Sequence, residues 1–250
     1  MELESPVILA IDTATAATGI AITRGTRNTG KVVASLSLSS NVTHSRRLLT
    51  GIDWLMQQVE ICWADIHGIG TSVGPGSFTG LRIGMATAKG LATGAGLQLL
   101  GISTLDVLAS ACITERLVCS VVDARKKEVY AAFYKADHNG YPTRVSEIVA
   151  YSPTALAAAI KEPVLMVGDG AVAYRELFEQ ELAENFFIGS SEQHEPSAAT
   201  LGLMCGERLL AGNVLSIDSA VPLYVRSSDA ELNLQKKQRA LALIEKPVAQ

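Results

Sequence analysis

Val7-Ile8-Leu9-Ala10-Ile11-Asp12 is an unbroken apolar run closed by an acid, with Pro6 in front of it. A strand with one wet face would alternate, so this run predicts a strand buried on both faces. Working outward, a short polar turn at 13–18 leads into alternation over 19–24 and a further strand over 31–38, which reads as an antiparallel meander. Leu48, Leu49, Ile52, Leu55, Met56 and Val59 then recur at spacings of three and four and predict an amphipathic helix over 44–62. A strand over 66–73, the Gly74-Pro75-Gly76-Ser77 turn, a helix over 78–94, a strand over 97–102 and a Ser103-Thr104 cap for a helix through 111 complete this half.

The plan then repeats. Leu117-Val118-Cys119-Ser120-Val121-Val122-Asp123 is a second apolar strand closed by an acid. A hairpin partner at 128–134, a strand at 144–150, a helix at 152–160, a strand at 164–167 and helices at 171–182 and 198–210 follow. Two such units, offset by about 110 residues between the acids, predict an internal duplication. The expected organisation is an α/β fold of two lobes, 1–105 and 106–226, each a mixed sheet flanked by helices. The stretch 227–250 carries Lys236, Lys237 and Arg239 and is expected as a surface helix or frayed tail.

Composition narrows the chemistry. The 250 residues are 48% hydrophobic and 18% charged, a globular balance, and with only 5% aromatics the core must be built from Ala, Val, Ile and Leu. A formal charge of −4 gives no general attraction for a polyanion. Met1 is followed by Glu2 and Glu4, with no basic stretch and apolar signal core, and no run of about 18 apolar residues occurs, so the expectation is a cytoplasmic protein without a membrane segment. Cys62, Cys112, Cys119 and Cys205 include no CxxC pair and are expected as buried hydrophobes. His44, His67, His138 and His194 are scattered with no HExxH, so no metal site is expected. There is no GxSxG elbow, and no catalytic residue is assigned.

A strand ending in Asp before a tight turn can offer a carboxylate to a metal-nucleotide, and two such turns can clamp phosphates if glycines let the backbone approach. The actin/Hsp70/sugar-kinase superfamily, to which the duplicated plan is similar, works that way. Here the turns read Asp12-Thr13-Ala14-Thr15 and Asp123-Ala124-Arg125-Lys126-Lys127, without glycine. What remains of a nucleotide site is Asp12, Thr13 and Asp123, with Gly168 and Gly170 of Val167-Gly168-Asp169-Gly170-Ala171 as a trace of an adenosine-side loop.

The most distinctive segment is Gly74-Pro75-Gly76-Ser77-Phe78-Thr79-Gly80-Leu81-Arg82-Ile83-Gly84. It could seat an anion at a helix N-terminus with Ser77 or Thr79 as cap, but no Lys follows the glycines as in a P-loop, and the reading as a plain turn is favoured. In the helix after it, Gly80, Gly84, Ala88 and Ala92 share one nearly bare face. Mid-helix glycine costs about 1 kcal/mol relative to Ala, so Gly84 and Gly90 predict close approach by another element, from this chain or from a partner.

Four segments resemble the bacterial TsaB family, also called YeaZ: Ile8 to Thr13; Val73 to Gly84; Val122-Asp123-Ala124-Arg125-Lys126-Lys127-Glu128-Val129-Tyr130; and Pro222-Leu223-Tyr224-Val225-Arg226. The resemblance runs in the family's order as far as Arg226. It implies an actin-like ATPase fold with a degenerate cleft. It implies also a non-catalytic dimerization subunit of the complex that places threonylcarbamoyl on the adenosine next to the anticodon of tRNAs. Its partners would be the catalytic paralogue TsaD and the ATPase TsaE, which would handle ATP and magnesium, with tRNA reached through the complex and a homodimer possible for the chain alone. The family's partner contact uses the helices expected at 44–62 and 78–94, and carried over this gives Gly80, Gly84 and Ala88 with Leu48, Leu55 and Met85. The alternatives are an ATP-binding kinase or ATPase with Asp12 and Asp123 around a metal, and a peptidase, which no ligand set or nucleophile supports.

Overall fold

The computed structural model describes residues 5–39 and 44–225; the expected tail at 227–250 lies outside them. β1 (Val7–Asp12) is buried along its whole length. It pairs antiparallel with β2 (Ala17–Arg24), and β3 (Lys31–Ser39) extends that meander. On its other side it runs parallel to β4 (Gly68–Gly74), which is flanked by β5 (Gln98–Ser103), giving the order β3-β2-β1-β4-β5. Alternation along β1 sends Val7, Leu9 and Ile11 to a core shared with α1 (His44–Gln58) and α2 (Phe78–Ala95), and Ile8 and Ala10 to the opposite face.

The second sheet repeats this arrangement. β6 (Leu117–Arg125) forms a hairpin with β7 (Glu128–Ala136), to which β8 (Pro142–Arg144) and β9 (Val149–Tyr151) are added. On its parallel side β6 is followed by β10 (Val164–Val167) and then β11 (Phe186–Ile188). α4 (Pro153–Ala159), α5 (Asp169–Ala173) and α6 (Arg175–Leu182) cover one face, with Leu156, Ala171 and Phe178 in its core. The duplication expected from the two acids is therefore present in the sheet order, five strands in the first lobe and six in the second, where β8 and β9 together take the place of β3.

The helix that follows each sheet reaches toward the other lobe. α3 (Thr104–Ser110) sends Leu105, Leu108 and Ala109 against Val118, Val122 and Tyr134 of the second sheet, while Val107 packs with the first. α7 (Ala198–Leu210) lays Leu201 and Cys205 on Ile8, Ala10, Leu100 and Ile102 of the first sheet. Residues 211–225 stay there, with Leu215 N–H donating to the Leu99 carbonyl (2.8 Å) and Leu223 N–H to the Val73 carbonyl (2.6 Å). Packing thus divides differently from the chain halves 1–105 and 106–226. On the side remote from Asp12, Arg27 in the β2–β3 turn forks onto Glu207 of α7 (Nε–Oε1 2.9 Å, Nη2–Oε2 2.8 Å), donates to Ser110 of α3 (3.2 Å) and lies 4.7 Å from the Tyr141 ring centroid in the second lobe.

Several expected elements differ. The strand at 144–150 is two strands, because the Ser146 hydroxyl takes the Phe133 N–H at 2.9 Å and interrupts the ladder. The helix at 171–182 is α5 and α6, broken at Tyr174. α1 stops at Gln58 rather than 62: Glu60 turns left-handed (φ 54°), residues Trp63–Asp65 form a 3-10 turn, and Cys62 is exposed, whereas Cys112, Cys119 and Cys205 are buried. Among the described residues no helix is long and apolar enough to cross a membrane.

Candidate functional site in the interlobe cleft

A cleft of about 480 Å³ lies between the lobes where β1 and β6 end. One wall is Ala14, Thr15 and the turn from Pro75 to Thr79; the other is Val122 to Lys126 with Tyr130 and Asp169, and Leu223 to Val225 reach its mouth. Of the five residues read from sequence as a vestigial nucleotide site, only Asp123 lines this space.

The other four are engaged behind the walls. Asp12 is buried; its Oδ1 accepts the Ala14 N–H (3.2 Å) and its Oδ2 accepts the Ser72 hydroxyl. Burial pushes its carboxyl up to about 6, against the opposing pull of the Ser72 and Ala14 hydrogen bonds, with Glu195 adding to the rise. Thr13 donates its hydroxyl to the Gly80 carbonyl at 2.8 Å. Gly168, at φ +100°, lies where a Cβ would stand 2.1 Å from the Val121 carbonyl oxygen, and a Cβ on Gly170 would meet Val122 and Asp123 backbone at about 3 Å. These two glycines let α5 close on β6.

The Gly74–Ser77 turn is clasped to the first turn, Ser77 N–H donating to the Ala14 carbonyl at 2.7 Å. Ser77, not Thr79, caps α2, its hydroxyl accepting the Gly80 N–H at 3.2 Å. On the opposite wall Asp123 Oδ1 accepts the Arg125 N–H (2.9 Å), and the Arg125 guanidinium stands 3.4 Å from Oδ2. Asp169 accepts the Asp123 N–H at 3.0 Å, and burial above all pushes its carboxyl upward.

In this turn, which lacks the glycines of the superfamily, Arg125, Lys126 and Lys127 are all left-handed, at φ 62°, 52° and 63°. Arg125 pairs with Glu128, so Lys126 and Lys127 are the two residues of a primed hairpin turn that ordinarily takes Asn-Gly. Sequence reasoning also missed a stack at the cleft mouth. The Arg82 guanidinium sits 3.9 Å from the Phe78 ring centroid and donates to the Tyr224 hydroxyl at 3.0 Å, and the two rings are 5.5 Å apart. Phe78 and Tyr224 stand far apart in sequence, and only the path of 211–225 joins them.

The six residues expected at a partner interface lie together, but inside the first lobe. Leu48, Leu55, Met85 and Ala88 are core residues, and Gly80 and Gly84 are buried. A Cβ on Gly80 would stand 2.0 Å from the Thr13 carbonyl oxygen, and one on Gly84 2.3 Å from the Thr13 hydroxyl. The close neighbour of the small-residue face is thus the chain's own first turn. Gly90 is exposed with nothing within 4 Å of its Cβ position, so it serves no close approach. The outward sides of the same helices carry Leu49 (57% exposed), Trp54 (50%) and, in the 3-10 turn, Trp63 (39%). Leu49, Met56, Ile61, Trp63 and Leu91 line a groove of about 330 Å³ there.

Two duplicated lobes around a cleft where β1 and β6 end define a protein of the actin-like ATPase-type fold. The family model described as TsaD: tRNA N6-adenosine threonylcarbamoyltransferase matches residues 38–234. The tRNA threonylcarbamoyladenosine biosynthesis protein TsaB of Escherichia coli is 30% identical over 237 residues, covering 92% of this chain and 99% of that protein. Its counterpart in Bacillus subtilis is 29% identical over 240 residues, 93% and 99% of the two chains. The structure of YeaZ from Pseudomonas aeruginosa superposes with a TM-score of 0.74 at 25% identity, covering 88% of this chain and 99% of that one. The chain belongs to the TsaB (YeaZ) family.

Proposed function

We propose that this chain takes part in making threonylcarbamoyladenosine in tRNA as a non-catalytic scaffold subunit that holds a catalytic paralogue of the TsaD type. The observation that carries this reading is the state of the cleft. The Asp12 carboxylate is engaged by Ser72 and Ala14 and the Thr13 hydroxyl by Gly80, and neither turn carries the glycines that would bring its backbone onto a phosphate. The names of the relatives support the pathway. In this reading ATP and magnesium are handled by partner subunits.

The partner surface moves from the buried face of α2 to the outward sides of α1 and the 3-10 turn, where exposed Trp and Leu surround an apolar groove. Buried aromatic anchors dominate such contacts. The double change Leu49→Glu, Trp54→Glu is expected to weaken binding to the purified catalytic paralogue at least tenfold in calorimetry. The melting temperature should hold, since both side chains face solvent. Unchanged affinity would remove this surface. The scaffold role itself is tested by tRNA threonylcarbamoylation in a mixture of purified subunits, which should need this chain, while the chain alone should hydrolyse no ATP.

A second reading, a nucleotide-binding ATPase or kinase, is favoured by one observation, the open volume left between the turns. Saturable magnesium-ATP binding to the isolated chain would support it against the first.

A further inference from the structure

The deep positions of the cleft are closed by the chain's own hydrogen bonds, but its mouth is not. Arg125 and Lys126 line one side, Lys127 follows at the hairpin tip, and all three are exposed. Across from them stand Phe78 and Tyr224, 40% and 42% exposed, with Arg82 against both. A basic rim facing half-exposed aromatic rings is the arrangement by which proteins hold unpaired nucleic acid, phosphates on the cations and a base on a ring. We propose that this mouth is a contact for single-stranded RNA made by the chain itself, with backbone phosphates on Arg125, Lys126 and Lys127 and a base against the Phe78 and Tyr224 pair.

The hairpin gives the proposal a second footing. A primed two-residue turn is satisfied by Asn-Gly without strain, whereas left-handed L-residues with side chains are disfavoured. Two lysines in those places keep charge at the tip against the backbone's preference, and strain retained at a cleft marks a function worth testing. Asp123 pairs with the Arg125 guanidinium at 3.4 Å, but that guanidinium is 86% exposed and so weak a surface pair yields to a phosphate, while Asp169 is turned onto the Asp123 N–H. RNA fits better than an acidic protein segment because carboxylates make no use of the rings. The inference rests on the tRNA reading above for its choice of RNA, and its test is independent of any partner subunit.

The test is fluorescence anisotropy of a labelled unstructured ten-nucleotide RNA titrated with the full chain between 50 and 200 mM salt. Binding is expected in the range of about 10⁻⁶ to 10⁻⁴ M, with a logarithmic salt slope of about −0.7 per phosphate neutralised. Lys126→Asn with Lys127→Gly should make the slope shallower by about 1.4 while raising the melting temperature, because it relieves the turn as it removes the charge. Phe78→Leu and Tyr224→Leu should each weaken binding about fivefold or more with the slope unchanged. Arg116→Gln, whose guanidinium lies over Phe187 away from the cleft, should change nothing.

No binding at 50 mM salt, or binding indifferent to the hairpin and ring variants, overturns the proposal. Full displacement by magnesium-ATP alone would mark a mononucleotide site, and displacement by an acidic peptide at equal charge concentration an acidic partner; either result also overturns it. A chain that supports tRNA modification with its partners yet fails these titrations would leave the scaffold reading standing and this one refuted.

Discussion

Asp12 shows how one side chain can be kept from the chemistry its position suggests. Its carboxyl, about 3.8 when free, is held near 6 by burial. A group whose folded value is raised adds stability below its unfolded value and loses it as pH rises through the folded one. Between pH 4 and pH 7 the fold should therefore lose about 2 to 3 kcal/mol on account of Asp12. Asp12→Asn, which keeps a hydrogen-bonding partner for Ser72 and Ala14 without the charge, is expected to be more stable than the parent at pH 8 and about equal at pH 4.5 in urea melts. An equal gap at both values would mean that shape rather than charge decides. The sequence reveals an acid closing a strand, but Ser72 lies on another strand, and no local pattern announces that its hydroxyl will occupy the carboxylate.

At the scale of elements, α2 separates its glycines by function. Gly84→Leu would drive a side chain into Thr13, and overpacking of this kind should cost about 2 to 3 kcal/mol or more, read as a fall in melting temperature. Gly90→Ala meets open space and should gain up to about 1 kcal/mol from helix propensity. Opposite signs for two glycines six positions apart would confirm that only one face is filled. Long periodic runs such as β1, α1 and α7 are legible because burial writes the pattern into apolar spacing. β11 is only Phe186–Ile188, too short to show a period, and the Ser146 break depends on Phe133 across the hairpin. The small-residue face of α2 was readable as a close approach, but its neighbour was not, since Thr13 comes next to it only through the β1–β4 pairing.

For the whole molecule, the Arg27 fork ties the first sheet's hairpin to α7, α3 and the second lobe from a single side chain. Arg27→Ala is expected to cost about 1 to 3 kcal/mol, the range of charge-assisted hydrogen bonds in partly buried surroundings, and to speed amide exchange at 26–30 and near Tyr141. Arg27→Lys should not restore it, because an ammonium lacks the planar fork. The cleft mouth was half legible: its basic turn stands in the sequence, while the Phe78 and Tyr224 pair depends on the return of 211–225 to the first lobe. The return of α7 to the first sheet has a consequence in time. The face of Ile8, Ala10, Leu100 and Ile102 is covered by Leu201 and Cys205. A ribosome making about 5 to 20 residues per second needs roughly 5 to 20 s to deliver that cover after β5 emerges. For that interval the nascent first lobe carries an uncovered oily sheet, a natural landing place for chaperones.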